Sequence, residues 1–195
     1  YELTEKYLNL AAKQAYPQMD NYQLALMFYH ILASSPQAFA SMLNAPIERT
    51  QGDERVILES MRDMAVKITQ TTKMEELVKA IKTTFAHLKS RKETQKAIVF
   101  VDNLATVPVL ADLLTTAGYN VISHTENDAL PRFRAEKDLQ ILICNDAMAK
   151  GLDIEYCPVV VNYDLLYNAM EMEQRICRCH RQGQQSDVLV INLLS

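Results

Sequence analysis

From residue 97 onward the chain alternates short, predominantly apolar runs with helix-compatible stretches, and this alternation leaves few architectures open. The first run, AIVFV at 97–101, has no polar position on either side of a strand, as expected for a strand buried on both faces of a parallel sheet. Three more follow at 119–122, 139–144 and 158–163, and a last one at 188–194 comes after a helical stretch at 170–180. A helix compatible with 104–116 stops at Gly118, a residue suited to the left-handed turn that ends a helix. Strands alternating with helices predict an α/β fold, a parallel sheet with helices on both faces. In such a sheet ligands sit beyond the carboxyl ends of the strands, so the residues just after each run are the ones to search.

The region before it reads differently. Between residue 3 and about residue 92 apolar side chains recur three and four apart, as in Leu24, Met27, Phe28, Ile31 and Leu32, or Leu77, Val78, Ile81, Phe85 and Leu88. Four or five helices are predicted, punctuated by Pro17, by Ser34-Ser35-Pro36 as a serine cap before a first-turn proline, and by Ala45-Pro46 with the polar stretch through Gly52. Glu75 and Lys79 are spaced for an i,i+4 ion pair. The division drawn from this change of period is 1–92, all helical, and 93–195, α/β.

Composition narrows the classes further. Four glycines, six prolines and a charged fraction of 23% exclude collagen-like, disordered and secreted disulfide-rich chains. No run of eighteen apolar residues exists, so neither a membrane span nor a signal peptide can be drawn, and the cytoplasm is the expected compartment. A chain that begins at Tyr1 reads as a piece of a longer one. The net charge of −4 argues against holding nucleic acid by overall charge but leaves room for a local basic site.

Two segments after strands carry the chemistry. Residues 144–153, CNDAMAKGLD, leave a buried run with polar and acidic groups and one glycine; they suit either a backbone that approaches a ligand or a locally capped loop. Residues 173–184, EQRICRCHRQGQ, place Gln174, Arg178 and Arg181 on one helical face by their spacing of four and three. Arg178 and Arg181 thereby form a paired guanidinium fork suited to phosphate oxygens, or else a solvated basic helix end favoured by the helix dipole. Cys177, Cys179 and His180 lack the spacing and the fourth ligand of a zinc site, so no metal ligand is assigned. The cysteines are read as reduced and buried. Tyr7, Tyr16, Tyr22 and Tyr29 are assigned to packing.

The order of these segments resembles the second RecA-like domain of a superfamily-two helicase or translocase. Residues 96–103 (KAIVFVDN) resemble the strand that opens that domain, and 145–153 (NDAMAKGLD) are similar to the family loop T-D-x-A-x-R/K-G-L-D. Residues 160–168 (VVNYDLLYN) resemble the strand and turn that come next, and 174–183 the arginine motif. Gly183-Gln184, with Gln174 and His180-Arg181, points to the Swi/Snf type and its bacterial branch; the helical first part resembles the insertion that precedes the second domain there. The resemblance implies that Arg178 and Arg181 reach ATP phosphates across a cleft, Arg181 as the arginine finger. It implies that Gly151, Asp153 and Gln174 line the nucleotide side, and that Asn103, Asn145, Asp146 and Lys150 face a nucleic-acid backbone, more plausibly duplex DNA. Asn145 departs from the family threonine, and Cys177 stands where glycine or aspartate is common.

A complete motor also needs a G-x-x-x-x-G-K-S/T phosphate loop. The glycines are Gly52, Gly118, Gly151 and Gly183, no two of which are five apart, so none can be drawn in this chain. Asp53-Glu54 loosely matches an acidic box but opens a helix and is read as capping. ATP and Mg2+ are accordingly expected to be held mainly by a first RecA-like domain outside this sequence, the domain's partner, and the chain alone is expected to hydrolyse no ATP. The rival reading is a helicase-shaped scaffold without catalysis.

Overall fold

The computed structural model describes all residues except 1, 12, 146–153, 155, 167, 178, 180–186 and 195, and all described side chains but that of residue 169. The chain divides into two units, Tyr1–Thr71 and Thr72–Ser195.

The first unit is helical: α1 (Glu2–Leu8), α2 (Asn21–Ser34), α3 (Pro36–Arg49) and α4 (Gly52–Lys67). Ser35 separates α2 from α3 as expected, its hydroxyl accepting the Ala38 N–H at 3.0 Å while Pro36 fills the first turn. Pro46 does not end α3, contrary to the sequence reading. It lies inside the last turn, where its missing N–H removes one bond, and the Thr50 hydroxyl closes the helix by donating to the Pro46 carbonyl at 3.1 Å. The inward faces of α1 to α4 meet in one core around Leu24, Phe28, Phe39, Leu43 and Leu58.

One carboxylate is inside this core. Glu54, 6% exposed, accepts the Tyr7 hydroxyl at 2.7 Å and the N–H groups of Gln14 and Ala15 at 2.8 and 3.0 Å. It is therefore not the capping acid its position at the start of α4 suggested, and α4 has no side-chain cap bond. Tyr7, Tyr16 and Phe28 stack beside it at 5.6–6.3 Å between ring centroids. Tyr22, by contrast, is 73% exposed and takes no part in packing.

This arrangement sets an alkaline limit. Burial, then the Glu54 hydrogen bond and charge, raise the Tyr7 hydroxyl far above its ordinary value of 10.0, and burial with the Glu54 charge pushes Tyr16 up to about 12. Both phenols are held neutral in the fold, so their contribution is fully present below pH 10 and is lost as pH rises through the folded values. The urea midpoint of the helical unit is expected to hold steady from pH 7 to 9 and fall between pH 10 and 12. The fall should be smaller in Tyr7→Phe, and a midpoint flat to pH 12 would show that neither phenol is held.

The second unit begins with α5 (Thr72–Ser90) and continues β1 (Ala97–Phe100), α6 (Thr106–Thr116), β2 (Val121–Ser123), α7 (Ala129–Ala135), β3 (Ile141–Cys144), β4 (Val159–Asn162), α8 (Ala169–Ile176) and β5 (Leu189–Asn192). The five strands form one parallel sheet in the order β2-β3-β1-β4-β5. β1, β3, β4 and β5 fall within the apolar runs, and β2 extends one residue past its run, to Ser123. Alternate residues go to opposite faces: Ala97, Val99, Ile141, Ile143, Val159 and Val161 pack with α5 and α6, whereas Ile98, Phe100, Leu142, Cys144 and Val160 pack with Ala129 and Phe133 of α7. Gly118, at φ +93°, turns the chain out of α6 as expected. Lys96, just before β1, is buried and donates to the carbonyls of Phe133 and Glu136, which closes the end of α7; burial lowers its pKa.

The division at Thr71–Thr72 places α5 with the sheet, not with the helical region to which the period change assigned it. The reason is its apolar stripe: Met74, Leu77, Ile81, Phe85 and Leu88 cover one face of β1, β3 and β4. Lys79 of this helix pairs with Glu76 at 3.3 Å instead of Glu75. Among the described residues no helix is long and apolar enough to cross a membrane.

Candidate functional site

Parallel pairing brings the carboxyl ends of the inner strands to one level. Phe100 is opposite Cys144 on one side and Asn162 on the other, and Asn162 is opposite Asn192. The residues that leave this edge are Asp102 and Asn103 after β1, Asn145 after β3, and Tyr163 and Asp164 after β4. Asn103 makes a local turn, its side-chain oxygen accepting the Ala105 N–H at 2.9 Å, and is half-buried. Asn145 is likewise half-buried, directly after Cys144, whose carbonyl accepts the Val101 N–H at 3.0 Å. The two asparagines proposed for a nucleic-acid backbone therefore leave adjacent strands at the same edge. Asp146, Lys150, Gly151, Asp153, Arg178 and Arg181 lie outside the described residues.

Helix α8 is the next element after β4. Asn168 starts it, its side chain accepting the Met170 N–H at 3.0 Å. Gln174 is exposed on this helix, which ends at Ile176, while the next residue, Arg175, is 1% exposed. Its Nη1 donates to the Asp164 carbonyl at 2.7 Å and to Oδ1 of Asn162 at 3.2 Å, with its guanidinium carbon 5.0 Å from the centre of the Phe100 ring. Asn162 in turn donates from Nδ2 to Oδ1 of Asn192 at 2.8 Å. The Asp164 carboxylate accepts Lys73 Nζ at 2.9 Å on Oδ1 and the Asp102 N–H at 2.9 Å on Oδ2. Lys73 also stands 4.4 Å from the centre of the Tyr163 ring. A buried polar network thus underlies the candidate edge.

The sequence reading missed Arg175, Asp164 and Lys73. A signal for Arg175 was present: Met172, Arg175, Ile176 and Cys179 follow the i, i+3, i+4, i+7 pattern of an inward stripe, and all are buried or half-buried. Of the cysteines, Cys144, Cys157 and Cys179 are buried as expected, whereas Cys177 is exposed, contrary to the sequence reading; all four are outside disulfides.

The described residues at this edge do not by themselves make a nucleotide site. Asn103, Asn145 and Gln174 offer carboxamides, and Arg175 is buried and donates to Asn162 and Asp164 inside the protein. A phosphate would need further cationic groups.

The profile described as the helicase conserved C-terminal domain matches residues 72–183, a span that opens with α5. The uncharacterized ATP-dependent helicase YqhH of Bacillus subtilis (strain 168) is 32% identical over 136 residues, covering 67% of this chain and 23% of that protein. The ATP-dependent RNA helicase RhlB of Xanthomonas axonopodis pv. citri (strain 306) is 27% identical over 154 residues, covering 76% of this chain and 27% of its own. The chain thus spans about a quarter of the length of these relatives. Among solved structures, the C-terminal part of the Fun30 ATPase domain superposes with a TM-score of 0.60 at 17% identity, over 99% of this chain and 79% of that one, a likeness of fold.

Proposed function

The chain belongs to the helicase conserved C-terminal domain family, and on that premise we propose that it is the second RecA-like motor domain, with its preceding helical region, of an ATP-dependent nucleic-acid translocase of the Swi/Snf type. The observation that carries the reading is the placement of α8. The helix begins beyond β4, is bonded through Arg175 to the carboxyl edge of the sheet, and leads in sequence into Arg178 and Arg181.

In this reading Arg178 and Arg181 supply positive charge to phosphates held across a cleft by a first motor domain, which contributes the phosphate loop and the Mg2+ contacts that this sequence lacks. Gly151, Asp153 and Gln174 line the nucleotide side. Asn103, Asn145, Asp146 and Lys150 contact the nucleic-acid backbone without reading its sequence. Domain closure then couples nucleotide state to motion along the strand. The Gly183-Gln184 ending of the arginine motif and the helical unit before the sheet support the Swi/Snf assignment and, with it, duplex DNA. RNA is the second reading, favoured by the named activity of the RhlB relative.

ATP turnover is the test. The 195-residue chain alone is expected to show none, with or without nucleic acid, whereas the full-length parent should be stimulated by duplex DNA more than by RNA. Turnover by the isolated chain would overturn the division of labour. Stimulation by RNA alone would transfer the motor to the second substrate, and an inert parent would leave a scaffold.

A further inference from the structure

A buried guanidinium is a costly way to fill space, because desolvation is recovered only when its donors are met in good geometry. Arg175 meets that condition in a particular way: one nitrogen spans a backbone carbonyl and a side-chain oxygen, both at the end of β4. A main-chain acceptor cannot change rotamer as a side chain can, so the contact with the Asp164 carbonyl, two residues past β4, fixes how α8 is rotated and set against the sheet. A lysine would bring a flexible, strongly hydrated point charge in place of the planar guanidinium that lies over Phe100, and a methionine would fill the volume without direction.

Asp164 carries the contact further. Its carbonyl serves Arg175 while its carboxylate faces Lys73 and the Asp102 N–H, with the Lys73 and Asp164 side chains 9% and 4% exposed. Lys73 is the second residue of the sheet unit, which begins at Thr72. The first turn of α5, the end of β1, the end of β4 and the helix α8 are therefore joined through a single residue.

We propose that Arg175 is a positioning residue, and that Lys73, Asp164 and Arg175 form a relay which holds α8 in register with the point where the chain enters the sheet unit. Its catalytic consequence rests on the reading of Arg178 and Arg181 as phosphate-facing groups; its structural consequence does not. A change at the start of α5 is felt at α8, and through α8 by the arginines beyond it.

Hydrogen exchange on the 195-residue chain tests the relay without nucleotide. Lys73→Met and Arg175→Met are each expected to raise amide exchange across Ala169–Ile176 about tenfold or more while β1 and β4 keep their protection. Arg175→Lys should fall between Arg175→Met and the wild type. The double variant should exchange no faster at α8 than Arg175→Met, since a relay broken once is broken. In the full-length parent the same variants should lower kcat about tenfold with KM for ATP within about twofold, the mark of lost alignment with binding kept. Unchanged exchange at α8 in Lys73→Met, or effects that multiply in the double variant, would overturn the relay. If Arg175→Met loosens the whole unit, Arg175→Lys and Lys73→Met decide. Arg181→Ala separates the two readings: wild-type turnover in that variant removes the finger and leaves the exchange results standing. A collapse there, beside untouched Lys73 and Arg175 variants, removes the relay alone.

Discussion

Arg181→Ala in the full-length parent is expected to lower nucleic-acid-stimulated ATP turnover by a factor on the order of 10³ or more, the range found when a finger is withdrawn from a phosphoryl-transfer site. The size of the effect reflects the work of the group. Charge accumulates on the transferred phosphoryl oxygens only as the bond breaks, so a guanidinium placed there acts on the transition state and little on the bound ground state. KM for ATP should therefore move far less than kcat. Arg181→Lys should recover little, because an ammonium cannot present the planar pair of donors. The fold should not suffer: α8 carries the Asn168 cap and the Arg175 bonds to Asn162 and Asp164, and the melting temperature of the variant should match that of the parent. Steady-state ATPase with and without duplex DNA, beside a thermal melt, checks all of this. A variant that hydrolyses ATP at the parental rate would put the positive charge somewhere else, with Arg178 the next residue to replace.

The sheet was readable because parallel strands leave a clear trace, short runs dominated by apolar residues and separated by helix-compatible stretches. β1 and β3 are apolar throughout, β4 and β5 end on Asn162 and Asn192, β2 ends on Ser123, and Gly118 stops α6 where its positive φ is needed. The affiliation of α5 was not readable in the same way. Met74, Leu77, Ile81, Phe85 and Leu88 state that one face of the helix is covered, and they state nothing about what covers it. Helical period is a local property, whereas the choice between two cores is made by the whole chain. Pro46 shows the converse failure. A proline interrupts one bond, and a threonine four residues on can make the last turn tolerable, so a strong local signal was overridden at small cost.

The candidate site was half legible. Its candidate members Asn103 and Asn145, both half-buried, and Gln174, exposed, come from searching the residues just beyond each strand and the outward face of α8, and the structure brings the two asparagines to one edge. The groups beneath them escaped because charged residues are taken to face water. Arg175, Lys73, Asp164 and Glu54 all face inward, and each does so because a backbone or side-chain partner awaits it that only the folded chain supplies. A charged residue that falls on the apolar stripe of a helix is the sequence signal for such a group, and Arg175 carried it.

Glu54 is where that lesson has its largest effect on stability. Glu54→Ala removes an acceptor from three donors at once: the Tyr7 hydroxyl and the Ala15 N–H on one oxygen, and the Gln14 N–H on the other. Each buried donor left without a partner costs about 1–3 kcal/mol. Gln14 is exposed and its N–H can recover a water, so the sum expected for the helical unit is about 3–5 kcal/mol, comparable to breaking a buried ion pair. Glu54→Gln keeps one accepting oxygen and turns an NH2 toward a donor, and should lose less. Tyr7→Phe gives up a single bond and should lose least of the three. Because the sheet unit has its own core, its unfolding should be unchanged in all of them, while proteolysis and hydrogen exchange within residues 2–67 accelerate in the order Tyr7→Phe, Glu54→Gln, Glu54→Ala. Equal urea midpoints for Glu54→Ala and the unmodified chain would mean that the carboxylate recovers on folding no more than it loses by leaving water, and that Phe28, Leu43 and Leu58 hold the helices together unaided.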